Sequence, residues 1–329
     1  MKVVIVGCGL SGITSAILLK ERGHKVTIYE SRSHIGGNCY DSKQDGMLIH
    51  NYGPHIFHTN DDEVFSFLSR YTKWKEFKLR PLGETPHGLI SLPYSKKTQK
   101  EIGKALSQQE ISDLIFKDYS EKQWGTSFDK IPKSITNRIP FTANLDNPTW
   151  FEGEKYQCIP VDGYTYMMEN MLDGIDIKLG CEKSDWKKEK CDLLIYTGMI
   201  DEYFDHCLGS LPYRTLDFEI EKSKDKLSGF IINQNNSYNK YTRICDYSYI
   251  NDQKFDYTIK IKEFPREFSL GDIPFYPVPF GDGPSTFQRY KELAILEKDV
   301  IFLGRLATYK YLDMWVTIKQ AIQKINTIL

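Results

Sequence analysis

The chain opens on an unbroken apolar run, Val3 to Val6, then glycines at 7, 9 and 12, then apolar positions Ile13, Ala16, Ile17 and Leu19. Four consecutive β-branched residues predict a short strand buried on both faces. The spacing after the glycines predicts a helix, which Gly23 stops. Val26 to Tyr29 predict a second strand ending at Glu30. Further on, Asp61-Asp62-Glu63 open a helix over 61–71 whose buried face is Val64, Phe65, Phe67 and Leu68. From Trp74 to Tyr94 the pattern loosens into strand-like pieces that turn at Gly83 and Gly88, and 97–123 reads as lysine-rich helix with Ile102, Leu106, Ile111, Leu114 and Ile115 apolar. A helix over 164–172 and strands at 175–179 and 193–196 follow. Alternating segments such as 214–220 and 257–261 then predict an antiparallel sheet across 199–290. Val300 to Leu303 read as a last buried strand, Gly304-Arg305 as its turn, and 313–327 as a closing helix.

The first thirty residues are therefore a complete βαβ unit with GxGxxG spacing. Gly7, Gly9 and Gly12 let backbone approach a pyrophosphate at a helix N-terminus, and Glu30 lies about 20 positions on, where a ribose diol needs an acceptor. Arg32 and then Gly36-Gly37-Asn38 follow. A second glycine pair here is typical of FAD-binding proteins of the glutathione-reductase type, because extended FAD crosses the loops after the second strand and needs tight backbone there.

Bulk properties narrow the partners. The chain has 329 residues, enough for one large core with smaller subdomains, and a net charge of −1. No basic field points to nucleic acid or an anionic membrane. No apolar stretch is long enough to span a membrane and no signal peptide is expected, so the expected location is cytoplasmic. Seven scattered cysteines without zinc spacing suit a reducing compartment and no structural metal. His55 and His58 lie three apart in a glycine-led turn, but no carboxylate or thiol completes a ligand set. Cys8, inside the glycine loop, reads as a packing residue that a helix N-terminus could make somewhat acidic.

The segments GPHIFHT (53–59), EKQWG (121–125), IPVDGYT (159–165), YTGMIDEYFD (196–205), LPYRTLDFE (211–219), YTRI (241–244), KEFP (262–265), FYPV (275–278) and GRLATYKYLDM (304–314) occur in that order. This ordered set resembles the UDP-galactopyranose mutase family from first strand to last helix. The resemblance implies an α/β fold: a Rossmann-like FAD-binding domain of the glutathione-reductase type, a short helical insert and an antiparallel β-sheet substrate domain. The expected divisions are 1–73, 156–198 and 296–329 for FAD; 97–138 for the helical subdomain with a mobile loop; and 74–96, 139–155 and 199–295 for substrate.

The family's activity would be an isomerisation of UDP-galactopyranose and UDP-galactofuranose, serving cell-surface polysaccharide biosynthesis. Reduced FAD would attack the anomeric carbon through N5, displacing UDP and forming a covalent flavin–sugar adduct with no net redox change. An external donor such as NAD(P)H or a reductase would supply the electrons. By resemblance, Arg138 on the mobile loop and Arg243 bind the pyrophosphate, and both count as catalytic with His58 and Asp313. Tyr119 stacks on uracil, Trp124 lines its pocket, and Phe116 and Trp150 stand beside them. Tyr276 and Tyr311 hold the diphosphate, and Glu263 lies near the sugar. The cofactor set is Gly7, Gly9, Gly12, Glu30, Arg32, Gly37, Asn38, His55, Arg305 and Met314. The terminal helix would aim its positive end at the flavin and favour the anionic reduced form.

Bland readings exist for each residue: a solvated loop charge for Arg138, an N-cap for Asp313, a cross-strand ion partner for Glu263, packed histidines and core aromatics. The ordered motifs lift them above these. The chain also departs from the pattern. The helical insert is shorter than in the usual bacterial enzymes, and because that subdomain commonly makes the dimer contact, oligomeric state stays open. Ile115 stands where an aromatic is common beside uracil, Leu312 replaces a tyrosine, and Pro148-Thr149-Trp150 occupies another tyrosine position. All three changes lie on the nucleotide-sugar side. They leave room for a mutase of another nucleotide hexose; an amine-oxidase-like flavoprotein oxidase and a non-catalytic GDI-like binding protein are the alternatives from other classes.

Overall fold

The computed structural model describes residues 1–136 and 142–328. Its first sheet has five parallel strands in the order Asp176–Lys178, Lys25–Tyr29, Lys2–Val6, Leu193–Tyr196 and Val300–Phe302. The apolar runs follow from burial on both faces. Val3 and Ile5 pack into the main core with Ile13, Leu19 and Ile318, whereas Val4 packs on the other face with Tyr29, Trp186 and Tyr196. The helix Leu10–Glu21 is buried from Leu10 to Ile17 without a break, so it carries small residues (Ser11, Gly12, Ser15, Ala16) where a surface helix would carry charges. The terminal helix Met314–Ile328 packs beside it through Ile318, Ala321, Ile322 and Ile325.

A second sheet of seven strands runs Tyr276–Pro277, Tyr213–Ser223, Thr258–Glu267, Arg243–Asp246, Ile231–Gln234, Leu82–Thr85 and Gly88–Ser91. Neighbours are antiparallel except Ile231–Gln234 and Leu82–Thr85, which pair in parallel. Side chains alternate faces along a strand, so Ile231 and Asn233, Cys245 and Arg243, and Ile261 and Glu263 each share one face. Register sets Ile231 opposite Cys245 opposite Ile261, and Asn233 opposite Arg243 opposite Glu263. One face thus changes from an apolar row, packed on Met47, Ile49 and Ile159, to a polar row two residues along.

Several local expectations are corrected. Gly83 lies inside strand Leu82–Thr85, and the bend follows at Pro86-His87. Strand Trp74–Glu76, expected with the substrate sheet, pairs with Tyr156–Pro160 in a separate three-stranded sheet completed by Phe57–Thr59. The single helix expected over 97–123 is broken into Lys96–Ile102, Gln108–Ile111, a π-helical stretch Ser112–Lys117 and Asp118–Trp124; Gly103, at φ +83°, ends the first piece. Gly304-Arg305 begins a short helix, Gly304–Ala307. A fourteen-residue helix, Gly283–Leu296, occupies sequence read as sheet.

Candidate active site

The glycines form a cradle that no larger residue would fit. A Cβ on Gly7 (φ +100°) would lie 2.1 Å from Thr197 Oγ1, and one on Gly12 would lie 2.0 Å from the Gly7 carbonyl oxygen. Gly37 approaches Gly9 so closely that its Cβ would stand 3.1 Å from the Gly9 Cα. The Gly36 N–H donates to the Cys8 carbonyl at 2.7 Å, which ties the second glycine pair to the first loop. Glu30 is buried and accepts from the backbone N–H of Cys8 at 2.6 Å and of Arg32 at 3.0 Å. Arg32 donates to Asn38 Oδ1 at 2.8 Å and lies over the Tyr52 ring, while its Nη1 is buried with no partner. An unpaired guanidinium nitrogen, a fixed carboxylate and bare backbone are what an extended dinucleotide would complete. Cys8 packs in the main core as expected, and burial pushes its thiol up to about 12 rather than making it acidic.

Around the end of this cradle the two sheets bring the expected residues together. Arg305 donates to the carbonyls of Phe275 at 3.2 Å and Leu312 at 2.7 Å and lies over the rings of Tyr311 (4.9 Å) and Tyr276 (5.9 Å). Those rings stack at 6.1 Å, and Trp124 meets Tyr276 edge-on at 6.3 Å. Arg243 Nε donates to Glu263 Oε2 at 2.7 Å across adjacent strands. Burial opposes the charge on Arg243, yet Glu263 beside it holds its pKa well above the ordinary value. Burial raises the Glu263 carboxyl in turn, with Arg243 pulling it down. The remaining oxygen, Glu263 Oε1, has no partner, and a Cβ on Gly53 would meet it at 3.0 Å. Two residues on, the His55 backbone N–H donates to His50 Nδ1 at 3.0 Å, and His55 Nδ1 bonds the Gly53 carbonyl at 2.8 Å. Burial pushes both imidazoles down to about 3, so they are neutral, and that bond puts the His55 proton on Nδ1 and leaves Nε2 an acceptor.

A cleft adjoins Arg243, with Phe116, Tyr119 and Trp150 in its wall. Burial raises the Tyr119 and Tyr276 phenols, which stay protonated donors. Phe116 sits on the π-helical stretch, where an extra residue per turn re-aims side chains. Other residues lie apart or differently. His58 stacks on Phe151, next in sequence to Trp150, at 3.6 Å, with its Nδ1 2.9 Å from Glu154. Asp313 accepts the first bond of the terminal helix through its carbonyl, from Thr317 N–H at 3.0 Å, and Met314 packs on the main core. Arg138 lies outside the described residues. Sequence reasoning missed Leu79, Pro81, Asn233 and Asn235 in the cleft wall. The signal for the last two was the run Asn233 to Asn236, four amides where a strand ends. Among the described residues no group of three or more His, Cys, Asp or Glu could hold a metal ion, and no helix is long and apolar enough to cross a membrane.

Comparison with known proteins agrees with this geometry. The family profile described as UDP-galactopyranose mutase matches residues 114–311, and one described as an NAD(P)-binding Rossmann-like domain matches 5–71. A dTDP-fucopyranose mutase of Escherichia coli is 34% identical, covering 98% of this chain and 97% of its own. A probable UDP-galactopyranose mutase of Klebsiella pneumoniae is 31% identical, covering 98% and 93%. In fold, the crystal structure of reduced UDP-galactopyranose mutase superposes with a TM-score of 0.78 at 12% identity, over 99% of this chain and 93% of that one. The chain belongs to the UDP-galactopyranose mutase family.

Proposed function

We propose that this enzyme interconverts the pyranose and furanose forms of a nucleoside-diphosphate hexose, UDP-galactose in the first instance, with FAD as its cofactor. The observation that carries the reading is the Arg243–Glu263 pair, set between the dinucleotide cradle and an aromatic cleft. FAD in its reduced form would supply the nucleophile for the anomeric carbon, and the reaction would close without net redox change. Gly7, Gly9, Gly12, Glu30, Arg32, Gly37 and Asn38 would hold its dinucleotide end, and His55 and Arg305 would stand by its ring. The portion 1–76, 156–198 and 296–329 is assigned to the cofactor, strand Trp74–Glu76 going with its partner Tyr156–Pro160; 77–96, 139–155 and 199–295 to the sugar nucleotide; and 97–138 to the helical subdomain.

The chain's own residues set the rest of the chemistry. When the bond from the anomeric carbon to the diphosphate oxygen breaks, its electron pair goes to the diphosphate. Arg243, joined by Arg138 as the resemblance implies, takes up that charge, and a partly desolvated site strengthens the contact. Glu263 fixes the Arg243 guanidinium through Nε, leaving both Nη groups to face a ligand. Tyr276 and Tyr311 offer phenolic donors to the same diphosphate, and Tyr119 and Phe116 offer flat faces to the base. Neutral His55, its Nδ1 proton held by the Gly53 carbonyl, would offer Nε2 as a hydrogen-bond acceptor beside the cofactor without adding positive charge. Asp313 would act at the cofactor end of the terminal helix, and His58, braced by Glu154, would serve through the wall it supports.

A second nucleotide is favoured by one observation. Leu79, Pro81 and Ile115 make an aliphatic side to the cleft, which suits the methyl group of thymine, and the E. coli relative is named for a dTDP sugar. The test is a conversion assay on dithionite-reduced protein with UDP-galactofuranose and, separately, dTDP-fucofuranose, followed by anion-exchange chromatography. Pyranose product from the first supports UDP-galactose, and product from the second alone moves the assignment to the thymidine nucleotide. No product from either, with a yellow reducible protein, contradicts both.

A further inference from the structure

Lys122, in the helix Asp118–Trp124, has a role that nothing above uses. Its ammonium turns into the loop joining strands Ile231–Gln234 and Arg243–Asp246. Nζ lies 2.9 Å from the carbonyl oxygen of Gln234, 2.8 Å from that of Asn236, 3.0 Å from that of Asn239 and 3.1 Å from that of Tyr241. An ammonium has three hydrogens and no acceptor, so the four oxygens share it. Without a cation at that point, four converging carbonyl dipoles would repel one another.

The loop is built to close around this centre. Gln234, Asn235 and Asn236 are 0%, 3% and 1% exposed, and three adjacent buried amides at the end of a strand need partners. Asn239 Nδ2 donates to Gln234 Oε1 at 2.6 Å, the Asn239 N–H to Asn236 Oδ1 at 3.0 Å, and Asn236 Nδ2 to the Glu84 carbonyl at 3.1 Å. Asn235 Nδ2 bonds the Ile115 carbonyl, so the same loop also grips the π-helical stretch. Burial draws the Lys122 pKa down to about 8, which leaves the ammonium protonated at neutral pH. A second cation holds the same helical turn from the large sheet. Arg214 donates to the Gln123 carbonyl at 2.9 Å and the Lys122 carbonyl at 3.3 Å, against Gly125, where a Cβ would meet it at 2.7 Å.

Tyr119 lies one turn before Lys122 and Trp124 two residues after it, while Asn233, Asn235 and Arg243 border the loop. We propose that Lys122 is a positioning residue whose ammonium, seated among four carbonyl oxygens of 234–241, fixes the helix bearing Tyr119 and Trp124 against the hairpin bearing Asn233 and Arg243, and so sets the width of the nucleotide cleft. The clamp stands on its own geometry; only the identity of what the cleft binds rests on the reading above.

The test uses the full-length holoprotein and two variants. Lys122→Met keeps the stem and removes the charge, and Lys122→Ala vacates the space among the carbonyls. In both, amide hydrogen exchange over 119–125 and 234–242 should accelerate about tenfold or more while strand Lys2–Val6 keeps wild-type protection. The dissociation constants of UDP and dTDP, read by tryptophan quenching, should rise about tenfold. In a turnover assay KM should rise with kcat close to wild type. Because potassium and alkylammonium ions accept carbonyl ligands, high potassium or methylammonium should restore part of the affinity of Lys122→Ala and none of Lys122→Met, whose side chain still fills the space. Wild-type exchange in both segments of folded Lys122→Met overturns the proposal, as does faster exchange with unchanged nucleotide affinity. Should wild-type protein bind neither nucleotide, the reading of the cleft falls, and the exchange data still decide the clamp.

Discussion

Arg243 and Glu263 face each other across neighbouring strands in a nearly dry setting, where neither is tolerable alone. Removing the guanidinium strands a carboxylate that is 1% exposed, and uncompensated buried charge costs about 3 to 5 kcal/mol. Arg243→Ala should therefore lower stability and abolish turnover, by about 10² to 10³-fold or more, with the flavin still bound because no cradle residue depends on it. Arg138→Ala should likewise stop turnover and keep the flavin. Activity assays combined with visible spectra check both, and loss of the yellow colour in either variant would contradict the assignment. Arg243→Met with Glu263→Gln removes the stranded charge and should recover most of the stability but no activity.

The neutral histidines give a prediction with a definite sign. His50 and His55 sit near 3 in the folded protein, against an ordinary imidazole value of 6.5. Between those values the unfolded chain binds protons that the folded one refuses. Stability is whole above pH 6.5 and falls as pH drops toward 3, by about 1.4 kcal/mol per pH unit for each histidine. Urea unfolding of wild type and His50→Gln at pH 7, 6 and 5 should show a shallower decline in the variant. Equal slopes would mean that His50 is not buried neutral.

At the scale of elements, the glycine loop separates backbone need from ligand need. Gly37 (φ +56°) and Gly23 (φ +80°) are both left-handed, but only Gly37 faces a neighbour, the Gly9 Cα. Alanine at Gly23 should cost only the backbone term, about 1 to 2 kcal/mol, and keep the cofactor. Alanine at Gly37 should also push the two glycine loops apart and lose flavin on gel filtration. Cofactor retention in Gly37→Ala would contradict the placement of the dinucleotide between these loops.

The same scale shows what the sequence made legible. The parallel strands were readable because burial on both faces leaves unbroken apolar runs. Helix Gly283–Leu296 was not, because its inward stripe of Phe287, Tyr290, Leu293 and Ala294 is only partly covered apart from Tyr290, and the exposed Ile295 and Leu296 blur its period. Gly83 resembled a turn, yet it sits in a strand, and glycine stands there because a Cβ would meet Asn235 Oδ1 at 2.6 Å. The pairing of Arg243 with Glu263 was open to a cross-strand reading, but their shared face needed the register. Lys122 was visible only as one letter of EKQWG. Its meaning depends on four carbonyl oxygens more than a hundred residues away, and a backbone oxygen leaves no mark on sequence.

For the whole molecule, the arrangement is one of division and convergence. The five-stranded sheet presents a glycine cradle, the seven-stranded sheet a polar row, and the helical insert an aromatic wall. Arg305, on the short helix after the last parallel strand, lies over Tyr311 of its own half and over Tyr276 of the seven-stranded sheet. Such a site suits a reaction in which a cofactor and a charged leaving group must meet one carbon from two sides.

The central claim is that this protein breaks and remakes the bond between the anomeric carbon and the diphosphate, and that it does so only with reduced flavin. Positional isotope exchange measures this directly. The nucleotide sugar that passes the conversion assay is labelled with ¹⁸O in the oxygen bridging sugar and phosphorus, and the label is followed by ³¹P NMR. The account predicts that the reduced enzyme moves label from the bridge into non-bridging positions of the β-phosphate, and that the oxidised enzyme leaves it in place. Ring isomerisation with the label retained in the bridge, or scrambling by the oxidised protein, would contradict it.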